Sequence, residues 1–169
     1  IASAKLRKAR EDLSRTRPYF QALQAEIKRI FRTDERVENR YFYPPAGEPR
    51  LEGTVGCLVV TADKGLAGAY NQNVIKETKA LEEKYGGDVE FFVVGEYGRQ
   101  YCLRHQIAVQ KSFLYTAQNP TMQRARDIAT VLLEAYDTGR LKKIFIVYTD
   151  LKNGMEAQVR VTRLLPFHR

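Results

Sequence analysis

The sequence is poor in the residues from which reactive centres are usually built. It has two cysteines, Cys57 and Cys102, and two histidines, His105 and His168, in 169 residues. The cysteines are far apart and form no C-x-x-C pair, which argues against a disulfide framework and against a zinc site. They read as small buried hydrophobes of a reducing compartment. Neither histidine has a Cys or Asp at metal-ligand spacing, and both read as surface residues. No serine stands in a nucleophile-elbow context. The acidic pairs Glu82/Glu83 and Glu134/Asp137 fall on solvated helix faces. The reading assigns no catalytic residue, no cofactor and no metal. It contains no run of eighteen apolar residues, so no helical span is expected. No signal-peptide pattern is visible either.

Acid is also scarce. The net charge is +8, and residues 1–40 carry 11 Lys and Arg against 6 Asp and Glu, the remainder 17 against 14. The excess at the N-terminal end calls for an acidic partner surface, nucleic acid or anionic lipid. Lys5, Arg7, Lys8, Arg10, Arg15 and Arg17 invite a basic-zipper reading. In that motif, however, the basic stretch precedes the apolar seam, whereas here the two coincide. Nucleic-acid binding is therefore set aside.

What is present begins with a long helical pattern over 1–36. Leu6, Leu13, Phe20 and Ile27 are spaced by seven, and Ala9, Thr16, Leu23 and Ile30 interleave with them. This is a coiled-coil seam. A helix of this length would run roughly 45–50 Å. Pro18 faces away from the seam and should bend the helix there. An ordinary amphipathic helix lying on the domain is the competing reading for the second half. No other segment carries a matching heptad run, so the seam's partner is expected outside this sequence. Residue 1 is Ile and not Met, which fits a piece of a longer chain.

Residues 37–53 read as a linker containing "YFYPPAGEP". From 54 to 169 strands and helices alternate. "VGCLVV" (55–60), "VEFFVV" (89–94), "AVQKSFL" (108–114) and "KIFIVY" (143–148) are strands. "AQVRVTRLL" (157–165) is an edge strand returning antiparallel from a Lys152-Asn153-Gly154 turn. Helices are expected over 73–85 with Asn71 or Asn73 as N-cap, over 96–105, and from Asn119-Pro120 to Gly139. The last has a core face of Met122, Ala125, Ala129, Leu132, Leu133 and Tyr136. Continuous apolar strands alternating with helices mean a mostly parallel sheet covered on both faces. The fold class is thus α/β: a Rossmann-like, mostly parallel five-stranded sheet with helices on both faces, preceded by a long coiled-coil helix.

The loop "TADKGLAGAYNQN" (61–73) follows the first strand, where such sheets bind ligands. Its chemistry does not match that position. A P-loop needs GxxxxGK[ST], and a dinucleotide fingerprint needs GxGxxG. Here Gly65 and Gly68 supply only GxxG, Ala69 and Tyr70 follow, and Asp63 places a carboxylate where phosphate would sit. Gly95-Glu96-Tyr97-Gly98 repeats the same weak pattern. A tight turn with close packing is the better reading, with a nucleotide- or phosphate-binding module as the alternative.

Three stretches carry a resemblance: "IASAKLRKARE" with its heptads, "GCLVVTADKGLAGAYNQNVIK", and "LLEAYDTGRLKKIFIVYTDLKNGMEAQVRVTRLLPF". Together they resemble the gamma subunit of F-type ATP synthases over essentially the whole sequence. The run from Val59 to Asn73 is its most specific part. The resemblance implies a non-catalytic central shaft that couples proton-driven rotation to ATP synthesis or hydrolysis. Its implied partners are the alpha and beta subunits, the epsilon subunit and the ring of c subunits. Its implied location is peripheral, on the cytoplasmic face of the bacterial membrane. The same resemblance makes Asp63, Lys64, Gly65, Leu66, Ala67, Gly68, Ala69, Tyr70 and Asn71 a subunit interface, with Lys64 facing beta carboxylates. It also implies that a C-terminal partner helix follows Arg169.

Overall fold

The computed structural model describes residues 16–33, 54–62, 68–113, 122–152 and 156–166. Helix α1 is Thr16–Thr33, β1 is Thr54–Val60, α2 is Gly68–Lys84 and β2 is Val89–Val94. Then come α3, Glu96–Arg104, β3, Val109–Phe113, α4, Met122–Asp137, β4, Leu141–Lys152, and β5, Glu156–Leu165. The sheet order is β3-β2-β1-β4-β5. β3, β2, β1 and β4 run parallel, and β5 returns antiparallel along β4.

Both faces of the sheet are apolar at its centre because β1, the Phe91–Val94 end of β2 and the Ile144–Tyr148 stretch of β4 are apolar at consecutive positions, whereas β3 at the edge exposes Gln110, Lys111 and Ser112. Leu58, Val60, Phe92, Val94, Ile144 and Ile146 face α1 and α4, where they meet Ile128, Leu132 and Tyr136. Cys57, Val59, Phe91, Val93 and Val147 face α2 and α3, where they meet Val74, Ile75, Leu81 and Cys102. The expected five-stranded, mostly parallel sheet between helical layers is what the chain forms.

Three details differ from expectation, each for a local reason. Helix α2 starts at Gly68, so Asn71 and Asn73 lie inside it and neither is its N-cap. Asn71 reads as a cap because its short amide usually competes with helical backbone. Here its Oδ1 is occupied, accepting from the Ala62 N–H at 3.1 Å. Strand β4 is longer than 143–148. Beyond its last pairing with β1, Val147 with Val59, it continues to Lys152 by pairing with β5 alone. The core face of α4 also contains Ile128, buried beside Ala125, Ala129, Leu132, Leu133 and Tyr136. Gly139 follows that helix with φ 83°, a left-handed conformation suited to glycine. The expected Asn119-Pro120 start of α4 and the centre of the β4–β5 turn lie outside the described residues.

Leu23 and Ile27, two of the expected seam positions, are fully buried within the same core cluster as β1, α4 and β4. Phe20 stacks on Tyr148 of β4, with ring centroids 4.9 Å apart. This half of the stripe is therefore satisfied within the chain, by lying on the sheet domain. Thr16 and Ile30 fall within α1. Leu6, Ala9 and Leu13 lie outside the described residues, as does the stretch before Thr16 on which the expected bend at Pro18 depends.

Candidate functional site

The candidate interface segment begins where β1 ends. Thr61 is buried there and acts as a hub. Its hydroxyl donates to the Val94 carbonyl at 2.8 Å and accepts from the Gly98 N–H at 2.9 Å. Its own N–H also donates to the Val94 carbonyl at 2.8 Å. Ala62 is held twice, donating to Asn71 and accepting from the Tyr97 N–H at 3.0 Å. The segment 63–67 thus leaves from, and returns to, backbone fixed on two strands and two helices.

Asp63, Lys64, Gly65, Leu66 and Ala67 lie outside the described residues. Gly68 and Ala69 open α2. Tyr70 is half-buried, and Asn71 is buried. Within the candidate set Asn71 therefore fastens the loop to the domain; its side chain faces inward. Thr61 was not singled out in the sequence. A Thr at the end of an apolar strand beside two glycine-bearing junctions was the available signal.

The second junction, Gly95 to Gly98, has a packing explanation. A Cβ on Gly95 would stand 2.0 Å from the Thr61 carbonyl oxygen, and Gly95 has φ 98°. A Cβ on Gly98 would stand 2.7 Å from Val93 Cγ1 and 2.9 Å from Thr61 Oγ1. The glycines let α3 press against the end of β1. The amides that open α3 are also engaged: Tyr97 donates to Ala62, Gly98 to Thr61, and Arg99 to the Gly95 carbonyl at 3.3 Å. A phosphate at a helix N-terminus needs such donors free. Glu96 adds a negative charge at this end. Hydrogen bonds from Arg99 and Gln100 hold its carboxyl down at about 2.

The remaining polar chemistry is structural. Burial pushes the Cys57 thiol well above its usual range, and Cys102 moves the same way for the same reason. Both remain thiols and not the nucleophilic thiolate. His105 ends α3, stacked on Tyr101 at 4.0 Å with Nδ1 2.9 Å from the Tyr101 carbonyl oxygen. Among the described residues no three His, Cys, Asp or Glu side chains group as a metal site. No described helix is long and apolar enough to cross a membrane. Two buried carboxylates form ion pairs between elements that spacing in the sequence does not reveal. Buried Asp150 meets Arg160 Nε at 2.9 Å across the β4–β5 pair. Buried Glu26 of α1 meets Arg29 at 3.1 Å and Arg126 of α4 at 3.4 Å.

The fold and the filled junction after β2 define a Rossmann-like α/β scaffold with a helix docked on one face. A family model described as ATP synthase matches residues 1–169. The ATP synthase gamma chain of Caldanaerobacter subterraneus subsp. tengcongensis is 40% identical over 166 residues, covering 98% of this chain and 55% of that one. The "ATP synthase gamma chain, sodium ion specific" of Acetobacterium woodii is 31% identical, covering 98% and 53%. The chain belongs to the ATP synthase gamma-chain family, and it spans about half the length of these relatives. Two solved assemblies carry the same fold at low identity. The central stalk and c-ring of Tetrahymena thermophila mitochondrial ATP synthase gives TM-score 0.57 at 19% identity, covering 95% of this chain and 72% of that one. The Euglena gracilis mitochondrial ATP synthase rotor gives 0.55 at 16%, covering 98% and 64%.

Proposed function

We propose that this chain is the central-shaft part of an F-type ATP synthase, coupling rotation driven by ion flow to ATP synthesis or hydrolysis in the ring of alpha and beta subunits. The observation that carries the proposal is the end-to-end match to the family and its gamma chains. The close packing of the junction after β2 supports it, because a rotor base needs stiffness. On this reading the chain makes and breaks no bonds itself. Asymmetric contacts of the shaft with successive beta subunits bias their nucleotide sites, and rotation cycles that bias. The excess of base near the N-terminal end suits an acidic partner surface.

The 63–71 segment is read as an interface to a beta subunit, with Lys64 toward its carboxylates and Asn71 anchoring it from within. The α/β domain lies beside the epsilon subunit and the ring of c subunits, peripheral to the cytoplasmic face of the membrane. The sodium-specific relative leaves either a proton or a sodium ion as the coupling ion.

The test is co-purification. The chain, extended through its natural C-terminus and tagged, is expected to recover alpha, beta, epsilon and c subunits from detergent-solubilised membranes. A folded bait that recovers none of them overturns the reading. Lys64→Glu is expected to weaken coupling of hydrolysis to rotation, and unchanged coupling removes that contact. At the described junction the amides that open α3 are already engaged, which disfavours the nucleotide-binding alternative there, and calorimetry with ATP and with NAD is expected to give no saturable binding to the isolated chain.

A further inference from the structure

In the sequence, residues 34–53 separate β1 from helix α1. Among the described residues, α1 is held on the domain by side-chain contacts. Leu23 and Ile27, both fully buried, form the apolar part of that contact, and Phe20 adds its stack on Tyr148. At 3.6 residues per turn, Leu23 and Ile27 lie only about 40° apart around the helix. With Phe20, about 60° from Leu23 on the Ile27 side, they make one apolar stripe, and hydrophobic contact is non-directional. A helix held by such a stripe alone can roll toward its open flank.

Glu26 stands off that stripe, about 60° from Leu23 on the side away from Ile27. It is 2% exposed. Its Oε2 meets Arg29 Nε of the same helix at 3.1 Å and Arg126 Nε of α4 at 3.4 Å. No other acidic residue occurs in the sequence between Asp12 and Asp34. A buried carboxylate is costly unless paired, so the helix strongly favours the orientation that brings Glu26 to Arg126. The anchor adds a contact on the flank opposite Phe20 and so opposes rolling of the helix.

We infer that Glu26 is a positioning residue for torque transfer: with Arg126 it clasps the shaft helix to the α/β base, so that twist carried along α1 reaches the domain without slippage. The inference rests on the rotor reading, and it adds a specific coupling point between helix and base. Removing the clasp leaves the fold intact and lets α1 roll or lift under load.

The experiment uses the full-length chain in the assembled, membrane-reconstituted complex and compares the native chain, Glu26→Gln, and the apolar pair Glu26→Leu with Arg126→Leu. Hydrogen exchange reports local opening, and ion uptake per ATP hydrolysed reports torque transfer. Losing a charged hydrogen-bond partner in a buried pair should make α1 amides exchange about 10-fold faster or more. The β1 and β2 amides should keep their native exchange rates, and ion uptake per ATP should fall. The apolar pair, which rebuilds that flank contact without charge, should return both readouts toward native. The inference is overturned if Glu26→Gln leaves α1 exchange unchanged, or loosens α1 with uptake per ATP unaltered. It is also overturned if the apolar pair restores protection without uptake. If the native complex itself shows no ATP-driven uptake, the rotor reading fails, while the exchange data still decide whether the clasp exists.

Discussion

Replacing Thr61 with valine isolates the polar work of the hub from its shape. Thr61 is 3% exposed, so the two side chains fill the same buried space. The substitution removes one hydrogen bond donated to the Val94 carbonyl and one accepted from the Gly98 N–H. These losses are unequal. The Val94 carbonyl keeps the Thr61 N–H at 2.8 Å, so that part costs about 0.5–1.5 kcal/mol. The Gly98 N–H lies in the first turn of α3, where no intrahelical acceptor exists, and leaving it buried and unmatched costs about 1–3 kcal/mol. Thr61→Val should therefore destabilise the domain by about 1.5–4.5 kcal/mol in total. Thr61→Ser, which keeps the hydroxyl and loses one methyl, should cost about 1 kcal/mol. Urea titration followed by circular dichroism measures both, with unchanged slope as the check on two-state behaviour. A Thr61→Val variant within about 0.5 kcal/mol of native would refute the hub argument, because an orphaned buried donor cannot be that cheap.

Other perturbations probe separate parts of the account. Gly95→Ala meets a positive φ and a backbone oxygen 2.0 Å away, so it should cost more than about 3 kcal/mol or prevent folding, read as loss of soluble native protein. Leu23→Ala removes a fully buried side chain of α1 and should cost about 2–5 kcal/mol in denaturant titration, with α1 amides exchanging fastest. Glu96 has its folded pKa depressed from 4.5 to about 2. Its stabilising contribution is therefore complete above the unfolded value and is lost as pH falls from about 4.5 toward 2. Because the group is solvated, Glu96→Gln should flatten only a shallow part of the acid limb of a stability–pH profile, and an unchanged limb would contradict the assignment.

The layered sheet was legible because β1, β2 and the middle of β4 carry consecutive apolar residues and β5 alternates, patterns that belong to covered parallel and edge strands; β3, with Gln110, Lys111 and Ser112 exposed, left a weaker trace. The packing of α1 was not. The spacing of Phe20, Leu23 and Ile27 is the same whether the stripe meets another helix or the chain's own sheet, and only the structure distinguishes them. Asn71 misled for a related reason. Its preference for caps is real, but the Ala62 N–H satisfies it from outside the helix. Of the candidate interface, the sequence supplied the glycines and the loop but not what holds them, since Thr61 reaches partners more than thirty residues away. Glu26 and Arg126, one hundred residues apart, left only the trace of a lone acid in a basic helix.

The central claim is that the chain turns within a ring of catalytic subunits. The most direct measurement attaches a bead to the full-length chain in immobilised complexes and watches it while ATP is hydrolysed. Sustained rotation in one direction, stopping when ATP is withdrawn, is the predicted result. Complexes that contain the chain and hydrolyse ATP while the bead shows only Brownian motion would contradict the account.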